Sequence, residues 1–204
     1  MPANASANKI FTVLAMGDST TAGTPDFYSP AESPPNGSGN EQSQYAYWIL
    51  QKHPDWVLLN RGVRGQRSDQ ILFRFKRDAE VFKPDVAVIL AGVNDIYQEY
   101  PADHVISKLK EMYEFAISKK VKVVACTILP YNFATPEAQE KIKKVNEWIR
   151  SYAEEKGLLF CDTFSVESSP EKTGKLISTV DGIHPDVDGY RRMGEAIMKV
   201  LEKA

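Results

Sequence analysis

The sequence predicts an α/β fold: a three-layer αβα sandwich on a flavodoxin-like, five-stranded parallel sheet. Two observations carry that prediction. Five short, β-branched runs are nearly continuously apolar, as strands buried on both faces are. Between them lie longer stretches with helical spacing, the alternation produced by right-handed β-α-β crossovers. The length of 204 residues adds a third, since it suits one domain, 1–204, with a sizeable core.

The strand runs are 10–16 (IFTVLAM), 56–60 (WVLLN), 86–91 (VAVILA), 121–128 (VKVVACTI) and 158–161 (LLFC). Over 102–119, Val105, Ile106, Leu109, Met112, Tyr113, Ala116 and Ile117 form one apolar stripe. Ile142, Val145, Ile149 and Tyr152 do the same over 136–156. Thr135 before Pro136 is a start signal, a capping hydroxyl ahead of a proline at the first helical position. Gly157 is the matching stop, and a last helix is expected over 187–203. Residues 25–44, PDFYSPAESPPNGSGNEQSQ, break the rhythm. A loop that long inside a compact domain points to a lid or rim of a substrate site.

Composition excludes several function classes. Apolar residues are 43% and charged residues 25%, as in ordinary globular proteins, and a formal charge of −2 offers no basic field for nucleic acid or anionic lipid. No apolar run approaches the roughly 20 residues of a membrane span. Residues 1–9 form a small, polar tail without the apolar centre of a signal peptide, so a cytoplasmic location is expected unless a signal has been removed. Cys126 and Cys161 sit in apolar runs and read as buried thiols. With no Cys-x-x-Cys and three histidines, no metal site is expected. No phosphate-binding Gly-x-x-x-x-Gly-Lys-Ser/Thr loop occurs, so nucleotide binding through such a loop is not expected.

In open parallel sheets, chemistry collects at the carboxyl ends of the strands. Four such places carry polar groups: Gly17-Asp18-Ser19, Asn60-Arg-Gly62-Val-Arg-Gly65, Gly92-Val93-Asn94-Asp95, and Asp181-Gly-Ile-His184-Pro185. Acyl transfer needs a hydroxyl, a base to activate it and an acceptor to hold the base in the right tautomer. His184 has a carboxylate, Asp181, three residues before it. Ser19 sits where a strand passes into a turn, so its own N–H can donate to an oxyanion. Gly62 allows close backbone approach, and Asn94 adds an amide. Each block alone is an ordinary turn or cap; their joint placement at one sheet edge is the signal.

These blocks, in this order and spacing, resemble the SGNH, or GDSL-like, hydrolase superfamily over about residues 10–200. The resemblance implies a flavodoxin-like fold, no cofactor, and hydrolysis of esters or thioesters. It implies Ser19 as nucleophile, His184 as base, Asp181 as its orienter, and Ser19, Gly62 and Asn94 as the oxyanion hole. One departure is Thr20, where the first block usually continues with Leu; altered packing behind the nucleophile is expected. The α/β-hydrolase alternative fails, because position 21 is Thr where the Gly-x-Ser-x-Gly elbow needs glycine. The expected substrate is a small carboxylic ester. Carbohydrate O-acetyl esters, lysophospholipids and thioesters are alternatives within the family, and a non-catalytic flavodoxin-like binding module is the distant one. A histidine base must be neutral, so the rate should fall in acid.

Other polar residues take structural readings. Asp18 is expected to hold the turn and Asp95 to be structural. His53 and His104 read as exposed or capping groups, Arg61 and Arg64 as solvated surface arginines, and Tyr45, Tyr47 and Trp48 as core residues of a helix, with Tyr45 a candidate pocket residue.

Overall fold

Alternate residues of the central strands enter two different cores, which is what strands apolar on both faces require. The computed structural model describes residues 10–172 and 174–204; the polar tail 1–9 lies outside the described residues. The chain runs through β1 (Thr12–Gly17), a four-residue helix α1 (Ser19–Ala22), a small antiparallel pair β2 (Phe27–Tyr28) and β3 (Ser38–Gly39), a 3₁₀ turn (Glu41–Ser43) and α2 (Tyr45–Lys52). It continues through β4 (Val57–Gly62), α3 (Ser68–Phe82), β5 (Val86–Leu90), α4 (Val93–Tyr97), α5 (Ala102–Ser118), β6 (Lys122–Cys126), α6 (Pro136–Lys156), β7 (Leu159–Cys161), α7 (Thr163–Glu167) and α8 (Val187–Leu201).

The main sheet is parallel, in the order β4-β1-β5-β6-β7. Taken in chain order, that is the flavodoxin-like arrangement. Leu14, Met16, Ala87, Ile89, Val123 and Ala125 face a core shared with α3, α5 and α6. Val13, Ala15, Val86, Val88, Val124 and Cys126 face the opposite core, shared with α2 and α8. All five predicted strands are present, and the helices expected over 102–119, 136–156 and 187–203 appear with boundaries within two residues. The signals at the ends of α6 operate as expected: Thr135 Oγ1 accepts from Ala138 N–H at 3.2 Å, and Gly157 is left-handed at φ +64°. Helix α3 is not announced by an apolar run, because charged residues interrupt its stripe of Ile71, Leu72, Phe75 and Ala79. Both cysteines are buried and free, and among the described residues no helix is long and apolar enough to cross a membrane.

The end of β1 carries the feature that matters most for the site. Gly17 and Gly62 are cross-strand partners at the carboxyl edge. A Cβ on Gly17 would lie 2.1 Å from Thr21 Oγ1, and one on Gly62 would lie 2.1 Å from the backbone nitrogen of Ala22. Helix α1 therefore rests directly on two bare strand ends. Asp18 starts it by accepting from Thr20 N–H at 3.0 Å. Burial pushes the Asp18 carboxyl up to about 7, against that hydrogen bond.

Two sequence expectations change here. Arg61 and Arg64 are not solvated surface arginines. Arg61 pairs with the buried Asp78 at 2.9 Å. Arg64 clamps the 25–44 segment: its guanidinium donates to Thr24 Oγ1 at 2.9 Å and to the carbonyls of Pro25 and Phe27 at 3.2 and 2.9 Å, and it stacks on Tyr28 at 3.5 Å. Ser29 adds a bond to Gly62 O at 2.6 Å. The segment is thus pinned against the end of β4 and contains β2 and β3. His104 likewise is half-buried, with Nε2 3.6 Å from Asp95 Oδ1, while His53 meets Glu202 at 3.0 Å and stacks on Trp56. Tyr45 is fully buried and so belongs to the core, its hydroxyl 3.3 Å from Thr21 Oγ1.

Replacing Arg64 with Ala should release 25–44 while leaving the sheet intact: native-state subtilisin cleavage within that segment should rise by about tenfold or more, since local openings set cleavage rates. Unchanged cleavage would show that the segment does not depend on the clamp. Asp18→Asn tests the buried carboxyl. A folded-state pKa near 7 lies above the unfolded value, so the wild type loses stability as pH rises from about 4 to 7. The variant lacks that loss, and the difference between them in urea unfolding should grow towards neutral pH, on the order of a few kcal/mol. A pH-independent difference would contradict the assignment.

Candidate active site

Ser19 is the first residue of α1, held by the Asp18 cap and by contact with the bare strand ends. It is mostly buried, at 7% exposure. Its Oγ lies 2.9 Å from His184 Nε2, across 165 positions of sequence. The other ring nitrogen, Nδ1, is 2.6 Å from Asp181 Oδ2. Three residue types from two distant segments thus form one line of hydrogen bonds, hydroxyl to imidazole to carboxylate.

The turn that bears Asp181 and His184 is stiff for local reasons. Asp181 Oδ1 accepts from the N–H groups of Ile183 and His184 at 2.9 and 2.8 Å. Thr179 Oγ1 accepts from Gly182 N–H at 2.8 Å and donates to His184 O at 2.6 Å. Partial burial works to raise the Asp181 carboxyl, but the bonds from the His184 ring and the two backbone N–H groups outweigh it and hold it below the ordinary carboxylate range. The Asp181 carboxyl therefore favours its ionised form.

More distant contacts fasten this turn to the body. Asn132, in the loop after β6, donates its N–H to Gly182 O at 2.7 Å and accepts from Leu176 N–H at 3.0 Å. Arg192 of α8 pairs with the buried Glu167 of α7 at 2.8 and 3.2 Å and reaches Ser178 Oγ at 3.3 Å. Ser178 donates to Asp186 Oδ1, which caps α8. Burial raises Glu167 to about 7 even with the Arg192 guanidinium opposing it.

Asn94 and the two glycines of the β4 loop take different positions from one another. Asn94 Nδ2 donates to Gln66 O at 3.0 Å, which uses one amide proton and leaves the second. Gly62 N–H already donates to Asn60 Oδ1 at 3.0 Å. Asn60 also donates to Ala22 O and to Gln44 Oε1, so this side chain binds β4, α1 and the start of α2 together. The expectation that Gly62 offers a free donor does not match this geometry; its missing side chain makes room for α1. Gly65, three residues on, has φ +70° and open space where a Cβ would stand. Its N–H and that of Ser19 have no hydrogen-bond partner among the described residues.

Asp95 is structural. It accepts from Ser68 N–H at 2.8 Å and Ser68 Oγ at 2.7 Å, capping α3 and fixing the loop between β4 and α3. Burial raises its carboxyl, with the Ser68 bonds and His104 opposing. Asp69, Asp95 and His104 lie close together, and both oxygens of Asp95 accept from Ser68.

A family model described as GDSL-like lipase/acylhydrolase matches residues 15–192. An acetylxylan esterase from Geobacillus stearothermophilus is 22% identical over 156 residues, 71% of this chain and 71% of its own length. A solved GDSL-like lipase from Bacteroides thetaiotaomicron is 27% identical, with TM-score 0.72 over 94% of this chain and 88% of that one. Two structures of the Geobacillus stearothermophilus acetylxylan esterase, described as catalytic mutants with a serine or an aspartate changed to alanine, share the fold. They are 18% and 19% identical, have TM-scores of 0.73 and 0.72, and match over 94% of each chain. The family match runs from the strand that delivers Ser19 into the helix that follows His184, and the chain belongs to the GDSL-like lipase/acylhydrolase family.

Proposed function

We propose that the protein is a serine esterase of small carboxylic esters. The observation that carries this reading is the continuous line Ser19 Oγ–His184 Nε2 at 2.9 Å and His184 Nδ1–Asp181 Oδ2 at 2.6 Å. Membership of an acylhydrolase family and the likeness to an acetylxylan esterase with a serine and an aspartate named in its catalytic mutants support it.

In this mechanism His184 takes the Ser19 proton as Oγ attacks the ester carbonyl. Asp181, ionised and hydrogen-bonded to Nδ1, holds the tautomer that leaves Nε2 free to accept, and stabilises the imidazolium that forms. The oxyanion is met by Ser19 N–H, the second proton of the Asn94 amide, and a backbone N–H of the β4 loop. Gly65 is the better source of that third donor, because Gly62 N–H is committed to Asn60. The Asn94–Gln66 bond holds the Gly65–Gln66 segment beside the amide. His184 then protonates the leaving alcohol. Water, deprotonated by the same ring, releases the acid from Ser19.

Ser19→Ala should abolish hydrolysis of p-nitrophenyl acetate and covalent labelling by a fluorophosphonate, with circular dichroism unchanged; turnover retained by that variant sinks the assignment. Asn94→Ala should lower kcat by about 10²–10³-fold with a smaller change in KM, the pattern of a donor used in the transition state. A pure KM effect would place Asn94 in ground-state binding instead.

A further inference from the structure

The proposed mechanism draws its oxyanion donors from separate pieces of chain: Ser19 N–H after β1, Gly65 N–H in the β4 loop and the Asn94 amide on α4. Such pieces serve one oxyanion only if something fixes them relative to one another. A half-buried cation that the mechanism leaves unused lies where they meet. Arg74 stands midway along α3, and its guanidinium reaches the carboxyl edge of the sheet.

Arg74 Nη1 donates to Arg61 O at 2.8 Å, and Nη2 donates to Gly17 O at 3.2 Å. One guanidinium therefore bridges the ends of β4 and β1. The Gly17 carbonyl lies one peptide before the Asp18–Ser19 peptide, and it also accepts from Val63 N–H at 3.2 Å. The Arg61 carbonyl shares a peptide with Gly62 N–H, whose proton goes to Asn60. The third bond runs from Arg74 Nε to Gln66 Oε1 at 2.7 Å. Gln66 follows Gly65, and its backbone carbonyl accepts from Asn94 Nδ2 at 3.0 Å. The arginine thus touches the strand end next to Ser19 and the β4 loop directly, and it reaches the Asn94 amide through Gln66.

A guanidinium suits this task. Its N–H groups lie in one rigid plane, so acceptors bonded to it are fixed relative to one another; an ammonium on a flexible stem supplies charge without that geometry. Burial pulls the Arg74 guanidinium down to about 10, with Asp78 opposing, and at neutral pH it remains charged. Its bonds are therefore charge-assisted and stronger than those of a neutral donor. Docking of α3 does not call for it, because Ile71, Leu72, Phe75 and Ala79 already seat that helix on the sheet. We infer that Arg74 is a positioning residue of the oxyanion hole: it locks the Ser19 turn, the β4 loop and, through Gln66, the Asn94 amide into one frame. The inference rests on the proposed esterase reading and adds to it a residue outside the four polar blocks at the strand ends.

The test uses Arg74→Lys, which keeps the charge and the helix propensity but not the planar fork. Rates on p-nitrophenyl acetate are referred to sites titrated with a fluorophosphonate, so that misfolded protein does not count. The variant should lose about tenfold or more in kcat with KM within about twofold of wild type, the pattern of lost transition-state stabilisation. Inhibition by benzeneboronic acid, which forms a tetrahedral adduct on a nucleophilic serine, should weaken by about the same factor. In an Asn94→Ala background the same substitution should cost only about threefold or less, because part of what the arginine positions is gone. Unchanged kcat and boronate affinity, a loss confined to KM, or losses that simply multiply with Asn94→Ala would each overturn the inference. If Arg74→Lys does not fold, Gln66→Ala decides, since it leaves α3 intact: it should repeat the kcat loss and the coupling to Asn94, and full activity overturns the inference. Wild type that neither hydrolyses the ester nor binds the boronate would sink the esterase reading and the inference with it, whereas active wild type with indifferent variants sinks the inference alone.

Discussion

Two glycines opposite each other at the carboxyl edge of the sheet set the terms for the rest of this molecule. Gly17 and Gly62 are partners in the β1–β4 ladder, and α1 lies against both with backbone distances that no side chain would tolerate. That contact lets the chain turn sharply out of β1 and present Ser19 at the first position of a short helix. Asn60 completes the joint by bonding Gly62 N–H, Ala22 O and Gln44 at once. A buried amide with all these groups satisfied is a rigid joint, because breaking any bond strands a polar group away from water. The same joint carries a cost in the buried Asp18 carboxyl, which starts the helix that holds Ser19.

Asn94 arrives on α4, while the β4 loop and the turn of Asp181 and His184 hold position only when their backbone polar groups are paired. Asp95 caps α3 through Ser68 and so fixes the β4 loop next to Asn94. Thr179, Asn132 and the Glu167–Arg192 pair do the equivalent for the turn of Asp181 and His184. These contacts come from segments far apart in sequence, yet all act on the same small region. The hydrogen bonds of the Ser19–His184–Asp181 line are thereby in place before any substrate arrives, which is the condition for electrostatic stabilisation without reorganisation.

Burial divides the region into two zones. Ser19 and His184 are nearly enclosed, at 7% and 9% exposure, whereas the rings of Tyr97 and Phe133 face solvent. In the proposed mechanism the enclosed groups carry out bond making and breaking, where a dry and fixed setting strengthens each interaction.

The amino-acid sequence by itself determined the fold class, since strands apolar on both faces and amphipathic helices are local patterns that one packing arrangement satisfies. It also determined the Asp181–His184 pair, because three residues in one turn are close in any fold, and it marked Ser19 and Asn94 through the motifs at strand ends. Only the tertiary structure decided which glycine of the β4 loop keeps a free N–H. Gly62 and Gly65 look alike in sequence, and the difference is a bond from Asn60 and the seat of α1. Arg64 was equally illegible, as its partners Thr24, Pro25, Phe27 and Tyr28 lie about 40 positions away. Phe133 carries no motif, and its packing over Gly182 joins two segments far apart in sequence. Short-range pattern records which side a residue faces; what it meets there is set by chain segments far away in sequence, and those meet only in the folded molecule.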